Sequence, residues 1–182
     1  MLILASGSSR RAKLLKDAGL DFIIEASDVD EVFEDSLKPE EIVTDLALRK
    51  AKSVFANHQE DTVVAADTIV VFGDEILGKP QDKDDALRML RLLSNETHSV
   101  YTGVAILKGD QQKVFFSKTD VTMKALSDLE IRNYIATEEP MDKAGAYGIQ
   151  GDGGALVDHF NGDFFTIVGL PLKDVLQALQ DI

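Results

Sequence analysis

Residues 62–72 form a β-rich run, Thr-Val-Val-Ala-Ala-Asp-Thr-Ile-Val-Val-Phe, with one carboxylate, Asp67, at its centre. The run is followed at once by Gly73-Asp74, which predicts a hairpin with a short return strand ending at Gly78. A carboxylate in the middle of an apolar strand is costly to desolvate unless a cation or hydrogen-bond donors meet it. We therefore expect a positive group near Asp67; the alternatives are a protonated carboxyl and a bulge that turns the side chain to solvent.

The rest of the chain carries further helix and strand patterns. Pro39 and Ser127 are typical of helix starts, and Gly19 is typical of the position after a helix end. Helices are predicted over 9–18, 39–57 and 82–94, from 127 and from 171; strands over 2–5, 21–26, 98–107 and 113–124; and a strand pair around Asn161-Gly162. We see no internal repeat and no linker that clearly separates domains. The prediction is one domain, 1–182, with mixed α/β architecture around a bent mixed sheet.

Composition limits the function classes. The chain has no cysteine, so any metal must be held by oxygen or histidine ligands, which points towards magnesium-type chemistry. A net charge of -13 argues against a non-specific hold on nucleic acid. The apolar start is too short for a signal peptide, and no stretch approaches the roughly 20 apolar residues of a membrane helix. We expect a soluble, cytoplasmic protein without a nucleic-acid or membrane partner.

The segment Leu4-Ala5-Ser6-Gly7-Ser8-Ser9-Arg10-Arg11 leads from a predicted strand straight into a helix. Helix starts attract phosphate, because their free N–H groups and the helix dipole both favour an anion. Two arginines in the first turn oppose the dipole, unless an anion bound there is clamped by Arg10 or Arg11. The alternative is a Ser-capped helix with surface arginines. The segment is not a Walker A loop.

Two lysines are further candidates for phosphate contacts. Lys50 falls on the apolar stripe of its predicted helix, so its ammonium must reach a partner or snorkel from the edge of that stripe. Lys79 is held in an extended conformation by the proline that follows it, although a bare turn fits equally well. The acidic stretch 28–35, which includes Glu31, offers oxygen ligands to a hard cation.

Residues 142–154 are rich in glycine, which allows the backbone to approach a ligand closely. Gln150 adds a carboxamide that both donates and accepts hydrogen bonds, as the edge of a uracil or thymine ring requires. A flexible loop without a ligand is the alternative. The glycines do not follow the dinucleotide-binding pattern.

The chain resembles the Maf family of nucleoside triphosphate pyrophosphatases. Short motifs match in order along nearly the whole chain, and their collinear set is specific although each is weak alone. They are Leu4-Ala5-Ser6-Gly7-Ser8 with Arg10-Arg11, Asp30-Glu31, Lys50-Ala51, Ala66-Asp67-Thr68, Gly78-Lys79-Pro80, His98-Ser99-Val100, Asp142-Lys143-Ala144-Gly145-Ala146-Tyr147-Gly148-Ile149-Gln150-Gly151 and Gly169-Leu170-Pro171. Ser9 departs from the family, which usually has proline there.

The resemblance implies an elongated α/β fold with two lobes and a central cleft, similar to inosine triphosphate pyrophosphatase. It also implies hydrolysis between the α- and β-phosphates with a divalent cation, Mg²⁺ or Mn²⁺. Asp67 matches the family's catalytic acidic residue, a proton acceptor. The residues at Arg10, Thr68 and Gln150 are those of the dTTP/UTP-type subgroup rather than the 7-methyl-GTP-type subgroup. Related proteins are often dimers, so the resemblance allows a homodimer.

The mechanism we expect is attack by water on the α-phosphorus, with pyrophosphate leaving. Asp67 and Glu31 are the predicted metal ligands, although Asp67 could equally take the proton itself. The predicted substrate-binding residues are Ser6, Ser8, Arg10, Arg11, Lys50, Thr68, Lys79, Lys143 and Gln150. Two rival functions are a nucleotide-binding regulator of septum formation and cell division without turnover, and a phosphatase that releases orthophosphate.

Overall fold

The computed structural model describes all residues, 1–182. It contains seven strands and six α-helices, with three short 3₁₀ helices between the fourth α-helix and the last strand. The strands are β1 (Leu2–Leu4), β2 (Ile23–Ile24), β3 (Thr62–Phe72), β4 (Glu75–Leu77), β5 (Thr97–Lys108), β6 (Gln111–Met123) and β7 (Val157–Asn161). The α-helices are α1 (Ser9–Asp17), α2 (Pro39–Phe55), α3 (Lys83–Leu93), α4 (Asp128–Ala136), α5 (Phe164–Val168) and α6 (Leu172–Gln180).

All strands belong to one mixed sheet, which confirms the predicted sheet type. Its order is β2-β1-β3-β5-β6-β7, and β4 pairs with the far end of β3. Strand β1 runs parallel to both β2 and β3. Strand β4 is antiparallel to β3, and β7 is antiparallel to β6. The predicted hairpin after β3 is therefore present, with Gly73 at a positive φ of 58°.

The chain divides into two compact units, as the predicted two lobes require. The first consists of Met1–Thr68, Thr102–Ser117 and Gly169–Ile182, and the second of Ile69–Tyr101 and Lys118–Val168. The boundary falls within β3, β5 and β6. The central cleft that the resemblance implies stays a prediction.

The core of the first unit lies between the sheet and α2. Small residues of the helix, among them Ala47 and Ala51, are fully buried together with β-branched residues of β1 and β3. Gly103 of β5 lies so close to α2 that a Cβ atom there would be 2.3 Å from the Val43 carbonyl carbon. This tight approach fixes the position of the helix that carries Lys50.

The core of the second unit is built by α3, α4 and the strand segments that face them. Its largest fully buried side chains include Leu90, Leu93 and Ile131. Helix α3 begins at an Asp82 cap, whose carboxylate accepts from the Asp85 amide at 2.7 Å. The predicted boundaries of this helix are confirmed to within a residue.

Two predictions about secondary structure need correction. The predicted strand pair around Asn161-Gly162 is wrong, because only β7 forms before the turn and it pairs with β6; the residues after the turn form α5. Asp163 caps that helix by accepting from the Phe165 amide at 3.0 Å, and this tertiary and capping context overrides the β propensity of Phe and Ile. The strand predicted over 21–26 shortens to the two residues of β2.

Helix α2, the longest at 17 residues, includes several charged side chains. None of the helices combines the length and the apolar character needed to cross a membrane.

Candidate active site

Asp67 lies at the middle of β3 and is 6 % exposed. The Nζ atom of Lys50, which α2 presents to the strand, lies 2.7 Å from Asp67 Oδ1. The positive group expected near Asp67 is therefore present, and the carboxylate is not turned out to solvent. A buried carboxylate and a largely buried ammonium in this geometry stabilise each other, since the lysine compensates the desolvation of the carboxylate.

Lys50 also contacts a second carboxylate. Its Nζ lies 2.8 Å from Glu31 Oε1, and its side chain is only 12 % exposed, whereas that of Glu31 is 59 % exposed. Lys50 thus bridges two acids instead of snorkelling to solvent. The two predicted metal ligands, Asp67 and Glu31, converge on one point in the first unit.

This pair of carboxylates fits a hard divalent cation of the magnesium type. Such ions are commonly held by one or two carboxylates, with water and substrate phosphates completing the coordination. Lys50 engages Oδ1 of Asp67, so Oδ2 is the oxygen not used by this ion pair. The structure contains no cluster of three or more His, Cys, Asp or Glu side chains arranged to hold a metal by protein ligands alone.

The loop from Ser6 to Ser8 starts α1 with its own hydroxyl groups. Ser8 is the N-cap and accepts from the Arg11 amide at 3.4 Å, while the buried Ser6 hydroxyl accepts from the Ser8 amide at 3.2 Å. The first turn contains no acidic residue, so the positive end of the helix dipole is not compensated by a carboxylate of that turn. The Ser-capped helix is confirmed, and phosphate binding at this end stays a prediction.

Arg11 folds back onto the protein and not away from it. Its Nε donates to the Gly169 carbonyl at 2.7 Å, Nη1 to Ser6 Oγ at 3.2 Å and Nη2 to Thr68 Oγ1 at 3.0 Å. Burial lowers the pKa of the Arg11 guanidinium, and the negative charge of Asp67 opposes that shift. Arg11 thereby ties the loop before α1 to β3 and to the turn before α6.

Thr102 completes this network and was not singled out by sequence reasoning. Its hydroxyl is fully buried on β5 and lies 2.9 Å from that of Thr68. The same strand also contains His98, Ser99 and Tyr101, so a threonine at this position gave no specific signal in the sequence. The Thr102 hydroxyl thereby positions the side chain of Thr68, the residue that follows Asp67.

The first unit therefore brings together most of the predicted site residues. Burial lowers the pKa of Arg11, and the charges of Asp67, Arg10 and Glu31 also act on it. The predicted residues that the first unit contains are Ser6, Ser8, Arg10, Arg11, Glu31, Lys50, Asp67 and Thr68.

The remaining three predicted residues, Lys79, Lys143 and Gln150, belong to the second unit. Lys79 and Gln150 are exposed, while the Lys143 ammonium contacts the Glu139 carbonyl and the Asp142 carboxylate, each at 2.8 Å. The Gly145 amide donates to the Gly78 carbonyl at 3.1 Å. That bond joins the segment that contains Lys143 to the turn that contains Lys79.

The glycine-rich segment is ordered as a series of tight turns. Two 3₁₀ helices, Ala144–Ala146 and Gly151–Leu156, occupy most of it. Tyr147, between them, is buried, and its hydroxyl lies 2.6 Å from Nε2 of the buried His98. His98 belongs to the motif His98-Ser99-Val100, and nothing in that motif indicates a partner at Tyr147.

Comparison with known proteins identifies the family. The model of the family described as "Maf-like protein" matches residues 1–182. The chain belongs to the Maf family.

Curated relatives of this Maf-like chain share much of its sequence. A dTTP/UTP pyrophosphatase of Acholeplasma laidlawii is 50 % identical over 100 % of this chain and 96 % of its own length. A dTTP/UTP pyrophosphatase of Bacillus anthracis is 48 % identical over 98 % of this chain and 94 % of its own length.

The Maf fold is also similar to that of a solved structure, the Ham1 protein of Staphylococcus aureus. The TM-score is 0.53 at 16 % identity, covering 99 % of this chain and 97 % of that one. At this identity the match concerns the fold alone. It confirms the predicted fold class.

Proposed function

We propose that this protein is a nucleoside triphosphate pyrophosphatase that hydrolyses dTTP and UTP to the monophosphate and pyrophosphate. Support comes from relatives of that name, which are about half identical to the chain over its whole length. The structural observation behind the proposal is the buried Asp67, which is paired with Lys50, and Lys50 also contacts Glu31. A carboxylate and an ammonium held together in an apolar environment are typical of an active site, where the ammonium can offset phosphate charge and the carboxylate can accept a proton.

In the proposed reaction a water oxygen forms a bond to the α-phosphorus. The bond between that phosphorus and the oxygen bridging to the β-phosphate breaks, and pyrophosphate leaves with the electron pair. The proton of the attacking water passes to Asp67 or to solvent. Lys50 and Arg10 offset the negative charge of the triphosphate, and Ser6, Ser8 and the start of α1 supply neutral donors.

A divalent cation, Mg²⁺ or Mn²⁺, is part of the proposal, with Asp67 and Glu31 as its protein ligands. When bound, it would supply Lewis-acid stabilisation of phosphate oxygens and a lower pKa for bound water. Oxygen is the donor that such hard cations prefer. Lys50 contacts both carboxylates and so holds them close together.

Base selection is assigned to the residues that match the dTTP/UTP-type subgroup. We propose that Gln150 recognises the pairing edge of uracil or thymine, since its carboxamide offers one donor and one acceptor. Arg10 and Thr68 carry the residue types of the same subgroup. Lys79, Lys143 and Arg11 keep the substrate-binding roles predicted from sequence. A cytoplasmic location and a homodimer also stay predictions.

Product analysis tests this function against its rivals. The protein is incubated with Mg²⁺ and a panel of ribo- and deoxyribonucleoside triphosphates, and pyrophosphate and orthophosphate are measured separately. We expect pyrophosphate and monophosphate, fastest from dTTP and UTP. Orthophosphate as the product would favour a phosphatase, and binding without turnover would favour a regulator.

Asp67→Asn keeps the shape of the side chain and deletes its charge, so we expect turnover to fall by at least about a thousandfold while the fold is retained. Either assigned role, proton acceptor or metal ligand, requires the carboxylate. Asp45→Asn is a matched control, because Asp45 lies exposed on α2 and pairs only with Arg49 one turn along the helix. Near-wild-type turnover of the Asp67→Asn variant would refute the assignment.

A further inference from the structure

The carboxylate of Glu139 organises the glycine-rich segment of the second unit. Its Oε1 accepts from the Gly153 amide at 3.1 Å, and its Oε2 accepts from the Asp152 amide at 3.2 Å. One side chain thus fixes two consecutive peptide groups of a segment that follows it by more than a dozen residues. Glu139 is not among the residues that the sequence motifs assigned a role.

Tyr134 extends the same network to the other end of the segment. Its hydroxyl donates to Glu139 Oε1 at 2.9 Å and accepts from the Gly148 amide at 3.1 Å. The peptide groups at Gly148 and Gly153 are therefore held by one tyrosine and one glutamate. The segment between Gly148 and Gly153 is therefore held at both ends by Tyr134 of α4 and by Glu139, which follows that helix.

The hydrogen-bond network leaves no space for a side chain at Gly151 or Gly153. A Cβ atom at Gly151 would lie 2.9 Å from Glu139 Oε2, and one at Gly153 would lie 2.5 Å from the Tyr134 hydroxyl and 2.1 Å from the Gly148 carbonyl oxygen. Gly151 also has a positive φ of 68°. These glycines let the backbone reach Glu139, which is a structural reason for their number.

Glu139 acts here as an acceptor and not as half of an ion pair. Its carboxylate oxygens receive two peptide N–H groups and one hydroxyl, and Lys143 contacts the Glu139 main-chain carbonyl. A carboxylate is the side chain that offers acceptors on both ends. A glutamine would place an NH₂ group against an N–H group at one of them.

Gln150 lies between the two anchored points, and its side chain is exposed. We propose that Glu139 is a positioning residue for base recognition: with Tyr134 it fixes the backbone from Gly148 to Gly153 and so presents the Gln150 carboxamide in one orientation. The inference rests on the proposed function, because it assigns Gln150 the role of reading a pyrimidine. Preorganisation of this kind increases affinity by removing the cost of ordering the segment on binding.

The test compares Glu139→Gln with the matched control Glu138→Gln. The neighbouring Glu138 is exposed and pairs on the surface with Lys83, so the same chemical change there leaves the segment intact. Amide hydrogen exchange at Gly148, Asp152 and Gly153 reports the order of the backbone. The ratio of kcat/KM for dTTP to that for dGTP reports base recognition.

We expect Glu139→Gln to increase exchange at the three amides and to lower the dTTP/dGTP ratio about tenfold, mainly through KM for dTTP, while kcat changes little. In a Gln150→Ala background the same change should lower the ratio no further, because Gln150 is the group through which Glu139 acts. An unchanged ratio in the single variant would overturn the proposal. An equal loss in the Gln150→Ala background would do so as well.

Tyr134→Phe keeps the test decisive if Glu139→Gln fails to fold, since it removes only the hydroxyl that holds the Gly148 amide. We expect a loss of selectivity in the same direction, and an unchanged ratio would overturn the proposal.

If the wild-type protein releases no pyrophosphate from any triphosphate, the proposed function fails. Calorimetric affinities for dTTP and dGTP then replace the kinetic ratio, and equal affinities of wild type and Glu139→Gln for dTTP would overturn the role of Glu139.

Discussion

At the scale of single residues, the ion pair of Asp67 and Lys50 is the feature with the clearest energetic consequence. Both side chains are nearly buried, so each charge depends on the other for compensation. Glu31 adds a second acid to the same lysine from a solvated position. Lys50 therefore has a structural task in addition to any contact with phosphate.

Lys50→Met keeps the packing of the stem and removes the ammonium, which leaves Asp67 without its cation. We expect the free energy of unfolding at pH 7 to fall by about 3–5 kcal/mol, because an uncompensated buried charge is left behind. The measurement is urea denaturation of wild type and variant.

The exposed Lys52 of α2 provides the control, and Lys52→Met should change stability by no more than about 0.5 kcal/mol. The double variant Lys50→Met/Asp67→Asn should recover part of the loss, because it no longer buries an unpaired charge. If Lys50→Met proves as stable as wild type, the pair is not structurally coupled.

At the scale of elements, the position of Lys50 depends on how closely α2 packs on β5. A Cβ atom at Gly103 would lie 2.3 Å from the Val43 carbonyl oxygen and 2.7 Å from the Thr44 amide nitrogen. Both contacts are with backbone, which cannot rotate away. The helix and strand can approach to this distance only because residue 103 has no side chain.

Gly103→Ala should therefore destabilise the protein by about 1–3 kcal/mol through overpacking. Strand propensity alone predicts the opposite sign, since Ala in an element interior is more stable than Gly by roughly 0.5–1 kcal/mol. Thermal or urea unfolding distinguishes the two. Gly78→Ala serves as control, because nothing lies within 4 Å of a Cβ atom there; a stabilising Gly103→Ala would contradict the packing.

At the scale of the whole molecule, stability should depend on pH through His98. Desolvation lowers the pKa of His98 from 6.5 to about 4, against a smaller opposing effect of Asp120. The side chain is 2 % exposed, and its Nδ1 has no hydrogen-bond partner. Its Nε2 contact with Tyr147 is compatible with a neutral ring that accepts from the tyrosine hydroxyl.

Between about pH 6.5 and pH 4 the unfolded chain binds a proton at His98 that the folded protein does not, so stability falls as pH drops through this window. The contribution lost is about 3 kcal/mol at its full extent. His98→Gln should flatten this part of the pH profile of unfolding free energy. Identical slopes for wild type and His98→Gln would contradict the prediction.

Local sequence patterns were sufficient to predict most elements and the chemical anomaly in them. Strand β3 begins and ends at the predicted residues, and α3 lies within a residue of its predicted bounds, because these features depend on neighbours within a few positions. The cost of burying a lone carboxylate also follows from local sequence. It was enough to predict that a cation lies near Asp67.

Tertiary structure decided which distant groups meet. Arg11 bonds to a carbonyl 158 positions away, Lys50 reaches Asp67 across 17 positions from another element, and Glu139 holds a turn that its own sequence context does not mark. The residues of α5 were predicted to form a strand but form a helix, because a capping aspartate and burial outweigh their intrinsic β propensity. Periodicity and propensity act over a few residues, whereas these contacts exist only once the packed elements bring the side chains together.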